Sequence, residues 1–182
     1  MAYRNGTYVA FHADGTNRPG KSDIDYYNLL RAWSAKPDDN FTLINSHEKA
    51  SAVRDSSKKE TLKASLLERL RNSKNMLLII GETTRLDTDW IPFEIEKAVD
   101  YYKMPIIAVY TQYTKILKPS ELSDLWPIAL KRRIEKKTVR AIHIPFKKIP
   151  LMNAIGQFNI NDLPKTALSH YTKETYEKWG IG

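Results

Sequence analysis

The chain has 182 residues, enough for about one domain, and its 42% apolar and 27% charged residues exclude whole-chain disorder, collagen and coiled coil. It has no cysteine, which excludes disulfide scaffolds, cysteine nucleophiles, iron–sulfur clusters and thiolate zinc sites. Its net charge is +8, and nearly all of that excess falls between residues 115 and 148.

Thr7-Tyr8-Val9-Ala10-Phe11-His12 is rich in strand formers and predicts a first strand over 7–12. Asp14-Gly15 and Pro19-Gly20 mark the loop behind it. Ser22 and Asp23 offer N-caps for a helix over 24–35, with Ile24, Tyr27, Leu29 and Leu30 on helical spacing and Trp33 closing the stripe. Phe41-Thr42-Leu43-Ile44 predicts a short second strand over 41–45, followed by a polar loop over 45–55. Ser56 or Ser57 can cap the next helix, which carries Leu62, Leu66, Leu67 and Leu70 up to residue 72. Met76-Leu77-Leu78-Ile79-Ile80 is apolar throughout, as suits a strand over 75–80 covered on both faces. A polar loop over 82–89 leads into a helix over 90–103, where Pro92 is tolerated in the first turn. A fourth doubly apolar strand follows over 105–110. Ser120 caps a helix to about residue 134, with Pro127 as a kink or break inside it. Residues 138–144 alternate and predict an edge-type fifth strand. The tail from 145 to 182 is expected to hold one or two short helices ending near Trp179.

Strict strand–helix alternation argues for an α/β fold, with one parallel sheet covered by helices on both faces. The expected form is a flavodoxin-like three-layer sandwich of five parallel strands in order 2-1-3-4-5. Residues 1–150 form the α/β domain in this reading, and 151–182 a helical extension packed on it. The longest apolar run, 76–80, is far short of the ~20 residues of a membrane span, and the first residues lack a signal-peptide core. A cytoplasmic protein without membrane contact is expected. The seven glycines are too scattered for a P-loop or a GxGxxG turn.

Ligands of such sheets bind at the carboxyl ends of the strands. The loops to inspect carry Phe11, His12 and Asp14; Asn45, Ser46 and His47; and Gly81 to Thr84. Behind the third loop stands Trp90-Ile91-Pro92-Phe93-Glu94-Ile95. Ile91, Ile95, Ala98, Val99 and Tyr102 form the stripe that should face the sheet, with Trp90 and Glu94 sharing a second face. Glu94 fits two roles there, a carboxylate in a ligand site or a partner for the helix dipole. Glu96 reads as solvated. His12 fits a substrate contact or a hydrogen-bonded loop histidine, His47 the same, and His143 a structural group. No HxH or HExxH spacing exists, so no metal site is expected. The basic run, with Lys131, Arg132, Arg133, Lys136 and Lys137 at its centre, fits a nucleic-acid footprint or a solvated helix end.

The Trp90-to-Ile95 segment, with Leu78-Ile79-Ile80-Gly81-Glu82-Thr83-Thr84 before it and Lys103-Met104-Pro105-Ile106-Ile107-Ala108-Val109 after it, resembles the third-helix region of Toll/interleukin-1-receptor (TIR) domains. Tyr8-Val9-Ala10-Phe11-His12 followed by Asp14 is similar to the first strand and loop of the TIR-like branch found in Thoeris anti-phage systems. The resemblance spans roughly residues 5–150. It implies cleavage of the nicotinamide–ribose bond of NAD, with Glu94 as the catalytic residue and NAD as substrate rather than cofactor. Phe11, His12, Asp14, Ser46 and Trp90 are the expected binding residues in one cleft. The resemblance further implies a cyclic ADP-ribose-type signal for a downstream effector, and a homo-oligomer held by TIR-like contacts. Two alternatives stand beside it: a TIR-like interaction module without catalysis, and a nucleic-acid-binding domain using 115–148.

Overall fold

The computed structural model describes residues 4–13, 23–37, 41–44 and 56–182. Six parallel strands form one sheet: β1 (Gly6–Ala10), β2 (Thr42–Ile44), β3 (Ser73–Ile80), β4 (Ile106–Tyr110), β5 (Ala141–Pro145) and β6 (Ser169–His170). Their order is β2-β1-β3-β4-β5-β6. The helices are α1 (Ile24–Ser34), α2 (Ser56–Arg71), α3 (Trp90–Glu96), α4 (Ile128–Glu135), α5 (Lys148–Gln157) and α6 (Lys173–Lys178).

Alternate residues of the strands feed two cores, because successive side chains point to opposite faces. Tyr8, Met76, Leu78, Ile106 and Ala108 pack under α2, α3 and α4 through Leu66, Leu70, Ile91, Ile95 and Leu130. Val9, Leu77, Ile79, Ile107 and Ile142 pack under α1 and α5 through Tyr27, Leu30, Leu151 and Ile155. The doubly apolar runs therefore lie where expected, at the centre of a sheet covered on both sides.

The sheet has six strands, not the five expected. Ile142 and His143 of β5 pair in parallel with Ser169 and His170 of β6. β5 is consequently interior and buried along its whole length, not an edge strand. The alternation that suggested an edge comes from His143. This polar residue is enclosed and hydrogen-bonded rather than solvated, at 0% exposure. The tail that was expected to hold only helices thus adds a strand. It is also tied to the sheet by Asn75 at the start of β3, whose side-chain amide donates to the Phe158 carbonyl at 2.7 Å.

Two helices differ from their predicted form. The helix over 90–103 divides into α3 and a π-helical segment, Lys97–Tyr101, in which the Tyr102 N–H donates to the Lys97 carbonyl at 3.0 Å. Lys103, at φ 56°, then turns the chain into β4. The segment before Pro127 is a 3-10 helix, Pro119–Leu125, and α4 begins only after the proline. Proline lacks the N–H that a continuous helix would need there.

Candidate active site

The strand order reverses at β1 and β3, so the crevice between their carboxyl ends is where a ligand of this fold binds. β1 delivers Tyr8 on one face of the sheet and Phe11 and His12 at its end. β3 runs into Gly81 and a short 3-10 turn, Thr84–Leu86, and then into α3.

The start of α3 is organised by Asp87. Its Oδ1 accepts the N–H groups of Trp90 at 2.8 Å, Asp89 at 3.0 Å and Ile91 at 3.3 Å. One carboxylate oxygen thereby satisfies donors that the first turn of a helix leaves open. The nominal cap residue, Asp89, makes no such bond and instead pairs with Lys59 at 2.6 Å.

Glu94 lies one turn further on and is 0% exposed. It was read on a second face of the helix beside Trp90, but the structure corrects that reading. Glu94 is three residues after Ile91 and one before Ile95, so it falls within the buried stripe. The Tyr8 hydroxyl of β1 donates to Glu94 Oε1, joining helix and sheet through an enclosed hydrogen bond. Glu96, by contrast, is exposed and ion-paired with Lys97 at 2.8 Å, as its solvated reading requires.

The remaining predicted residues are dispersed. Trp90 is partly buried against the Glu94-side core, with the Lys59 ammonium 5.6 Å from its ring centroid. Phe11 is 5% exposed and belongs to the opposite core, where it stacks on Tyr27 at 4.8 Å. His12 stays at the crevice, its Nδ1 3.1 Å from the Thr83 hydroxyl. Asp14 and Ser46 lie outside the described residues, as does His47. The structure thus joins Glu94 to a residue not singled out, Tyr8, and His12 to the loop behind β3. It does not join Phe11 to Glu94.

Beside this crevice the buried carboxylate of Asp23 accepts the Thr84 hydroxyl at 2.9 Å. Burial pushes its carboxyl above the usual carboxylate range, and the Thr84 bond and the nearby His12 oppose that rise. A second hollow of about 390 Å³ lies at the same edge of the sheet, in the loop after β4. Tyr113, Lys115, Lys118 and Glu121 help to line it, and none of the predicted site residues does. Gln112 links that loop to the one behind β3 by donating to Glu82 at 2.8 Å.

Elsewhere, the basic stretch is partly engaged within the fold. Arg133 pairs with Asp100, and Arg140 donates to the Lys165 carbonyl. Among the described residues, no group of three or more His, Asp and Glu is arranged to hold a metal ion, and no helix is long and apolar enough to cross a membrane.

Comparison with known families gives a match over the candidate site. The family described as "Thoeris protein ThsB, TIR-like domain" matches residues 8–116, which is more than half of the chain. The span opens at Tyr8, contains the β1–β3 crevice and α3 with Glu94, and closes just beyond β4. The chain therefore belongs to the TIR-like domain family of the Thoeris protein ThsB.

Proposed function

We propose that this protein is a TIR-like enzyme that cleaves the nicotinamide–ribose bond of NAD, with Glu94 as the catalytic carboxylate. NAD is the substrate, and the reaction needs no separate cofactor. One observation carries the reading: a glutamate in the second turn of α3 is held by Tyr8 of β1, beside the switch point of the sheet.

The chemistry asks little more of the protein. The bond between C1′ of the ribose and the ring nitrogen breaks, and its electron pair goes to the nitrogen. Nicotinamide leaves neutral, so no general acid is needed. The ribose passes through an oxocarbenium-like state of the kind met in glycoside hydrolysis. A fixed carboxylate near that carbon stabilises the developing positive charge. Enclosure of Glu94 strengthens this field, because screening by water is lost. It also requires the elements covering Glu94 to part when substrate enters. Attack on C1′ by water gives ADP-ribose, and attack by a hydroxyl of the same molecule gives a cyclic product. Family membership supports the second outcome, a cyclic ADP-ribose-type signal acting on a downstream effector in anti-phage defence. It equally supports a cytoplasmic homo-oligomer assembled through TIR-like contacts.

The test is to incubate the pure protein with NAD at high concentration and identify the products by mass spectrometry. Nicotinamide release that disappears in Glu94→Gln supports the reading, whereas equal release by parent and variant removes Glu94 from the mechanism. A second reading, a non-catalytic interaction module, is favoured by the complete burial of Glu94, because a helix-to-sheet hydrogen bond is a sufficient structural role for it. Under that reading Glu94→Gln alters the melting temperature, and no nicotinamide is released by either protein.

A further inference from the structure

A second carboxylate is buried at the same edge of the sheet. Asp23 precedes α1 and is 6% exposed. Its position suits an N-cap, yet its side chain makes no capping hydrogen bond to the helix. The carboxylate instead crosses to the loop behind β3. There it accepts the Thr84 hydroxyl at 2.9 Å, and that hydroxyl in turn accepts the Gly81 N–H at 2.8 Å. Gly81 lies so close that a Cβ added to it would stand 2.1 Å from Asp23 Oδ1. The Asp23 N–H donates to the His12 carbonyl at 3.4 Å. One residue therefore fastens the end of β1 to the segment leaving β3. Desolvation opposes the buried charge, so stability alone is a poor reason for its placement.

We propose that Asp23 is a positioning residue for Glu94: by clamping Gly81 and Thr84 it fixes the 81–87 loop, whose Asp87 caps α3, and so sets where the Glu94 carboxylate points. The catalytic half of this inference rests on the NAD-cleaving reading, and the clamp itself does not.

Three variants and two measurements test it. Asp23→Ala removes the acceptor. Asp23→Asn keeps an oxygen for the Thr84 hydroxyl and removes the charge. Gly81→Ala presses a methyl group onto the carboxylate, and because its three nearest atoms all belong to Asp23, the pressure is relieved when residue 23 is alanine. Amide hydrogen exchange over 81–87 reads the clamp without any substrate. Nicotinamide release from NAD reads its consequence.

Exchange over 81–87 is expected to rise about tenfold or more in Asp23→Ala and in Gly81→Ala, and to stay near the parent in Asp23→Asn. The double variant should be no worse than Asp23→Ala alone, which is non-additivity through a shared contact. With NAD, kcat should fall about tenfold or more in Asp23→Ala, the scale of a misplaced catalytic group, and be largely kept in Asp23→Asn. Unchanged exchange in both Asp23→Ala and Gly81→Ala overturns the clamp. Raised exchange with unchanged kcat overturns the link to Glu94. Equal loss of kcat in Asp23→Asn and Asp23→Ala, with parental exchange in the former, shows that the charge acts rather than the clamp and overturns the positioning role. If Asp23→Ala does not fold, Gly81→Ala set against Asp23→Asn makes the same comparison. A parent that releases no nicotinamide sinks the NAD reading, and the clamp then stands or falls on exchange alone.

Discussion

Two parts of the sheet bury polar side chains with different chemistry. Under α4, Trp126 Nε1 donates to the Tyr110 hydroxyl at 2.7 Å, and that hydroxyl meets His143 Nδ1 at 2.7 Å. His143 Nε2 meets the Ala167 carbonyl at 2.9 Å. A carbonyl can only accept, so the neutral imidazole donates from Nε2 to Ala167, and its Nδ1 accepts from the tyrosine hydroxyl, which in turn accepts the indole N–H. Each member is neutral, and the chain ends on the main chain just before β6. At the carboxyl end of β1, by contrast, the enclosed acceptors are the carboxylates Glu94 and Asp23, which accept from the hydroxyls of Tyr8 and Thr84. The first arrangement is what a protein builds to close a sheet. The second keeps ionisable groups where closure does not need them, beside the switch point. Burying charge costs more than burying a satisfied neutral chain, and that difference separates the candidate site from the scaffold.

The sharpest way to break this contrast is Glu94→Gln. If the carboxylate stabilises positive charge, nicotinamide release should fall roughly 10²-fold or more, the scale of removing one well-placed electrostatic group. A melt run alongside separates this from unfolding, because Glu94 is enclosed and its loss also reaches the core. Next is acid. Burial lowers the His143 pKa to about 4, and the Ala167 hydrogen bond only partly offsets that. Between about pH 6.5 and pH 4 the unfolded chain binds the proton and the folded one does not. Stability should therefore fall as pH drops through this window, by roughly 3 kcal/mol from this group at its lower end, and be indifferent to it above. The difference between parent and His143→Gln in melts at pH 7, 5.5 and 4 reads it, and parallel curves would remove His143 as the titrating lock. Tyr8→Phe should cost about 1–3 kcal/mol, since it leaves a buried carboxylate without that donor. A two-state domain of this length then melts several degrees lower. An unchanged melting temperature would mean that the Tyr8 bond is not supporting Glu94. Smallest is Glu96→Gln, expected within about ±0.5 kcal/mol and silent for activity, as for an exposed side chain. A loss there equal to that at Glu94 would point to a general defect of α3.

What could be read from the sequence follows the strength of local signals. The runs 76–80 and 105–110 read as central strands, because they are short, β-branched and apolar on both faces, as suits a strand covered on both sides. Trp90 to Ile95 marked α3, whereas the helix expected from Ser120 with Pro127 as a kink or break inside it began too early, since α4 starts only after the proline. β6 was invisible because two residues carry no period, and the contacts beside its pairing with β5, such as His143 to the Ala167 carbonyl, are long-range. The burial of Glu94 was legible in principle, since Ile91 three residues before it and Ile95 one after it lie on the buried stripe, but a carboxylate argues for solvent until its partner is known. That partner, Tyr8, is 86 residues away. The Asp23 contact with Thr84 spans 61 residues, and the asparagine and glycine that make similar close contacts give no sign of them. Phe11 looked like a site residue because it ends a strand. Its side chain obeys the alternation of β1 instead, and so turns to the α1 side.

The length of the last strand carries a consequence for how copies of this chain can meet. β6 is two residues long and the chain then turns into α6, so the β6 border of the sheet offers few unpaired main-chain groups. A foreign strand laid along that border would gain only a couple of ladder hydrogen bonds, too few to hold a complex or to seed a fibril. Filament growth by sheet extension is thus closed off at β6, and a homo-oligomer of the kind proposed has to meet through another surface.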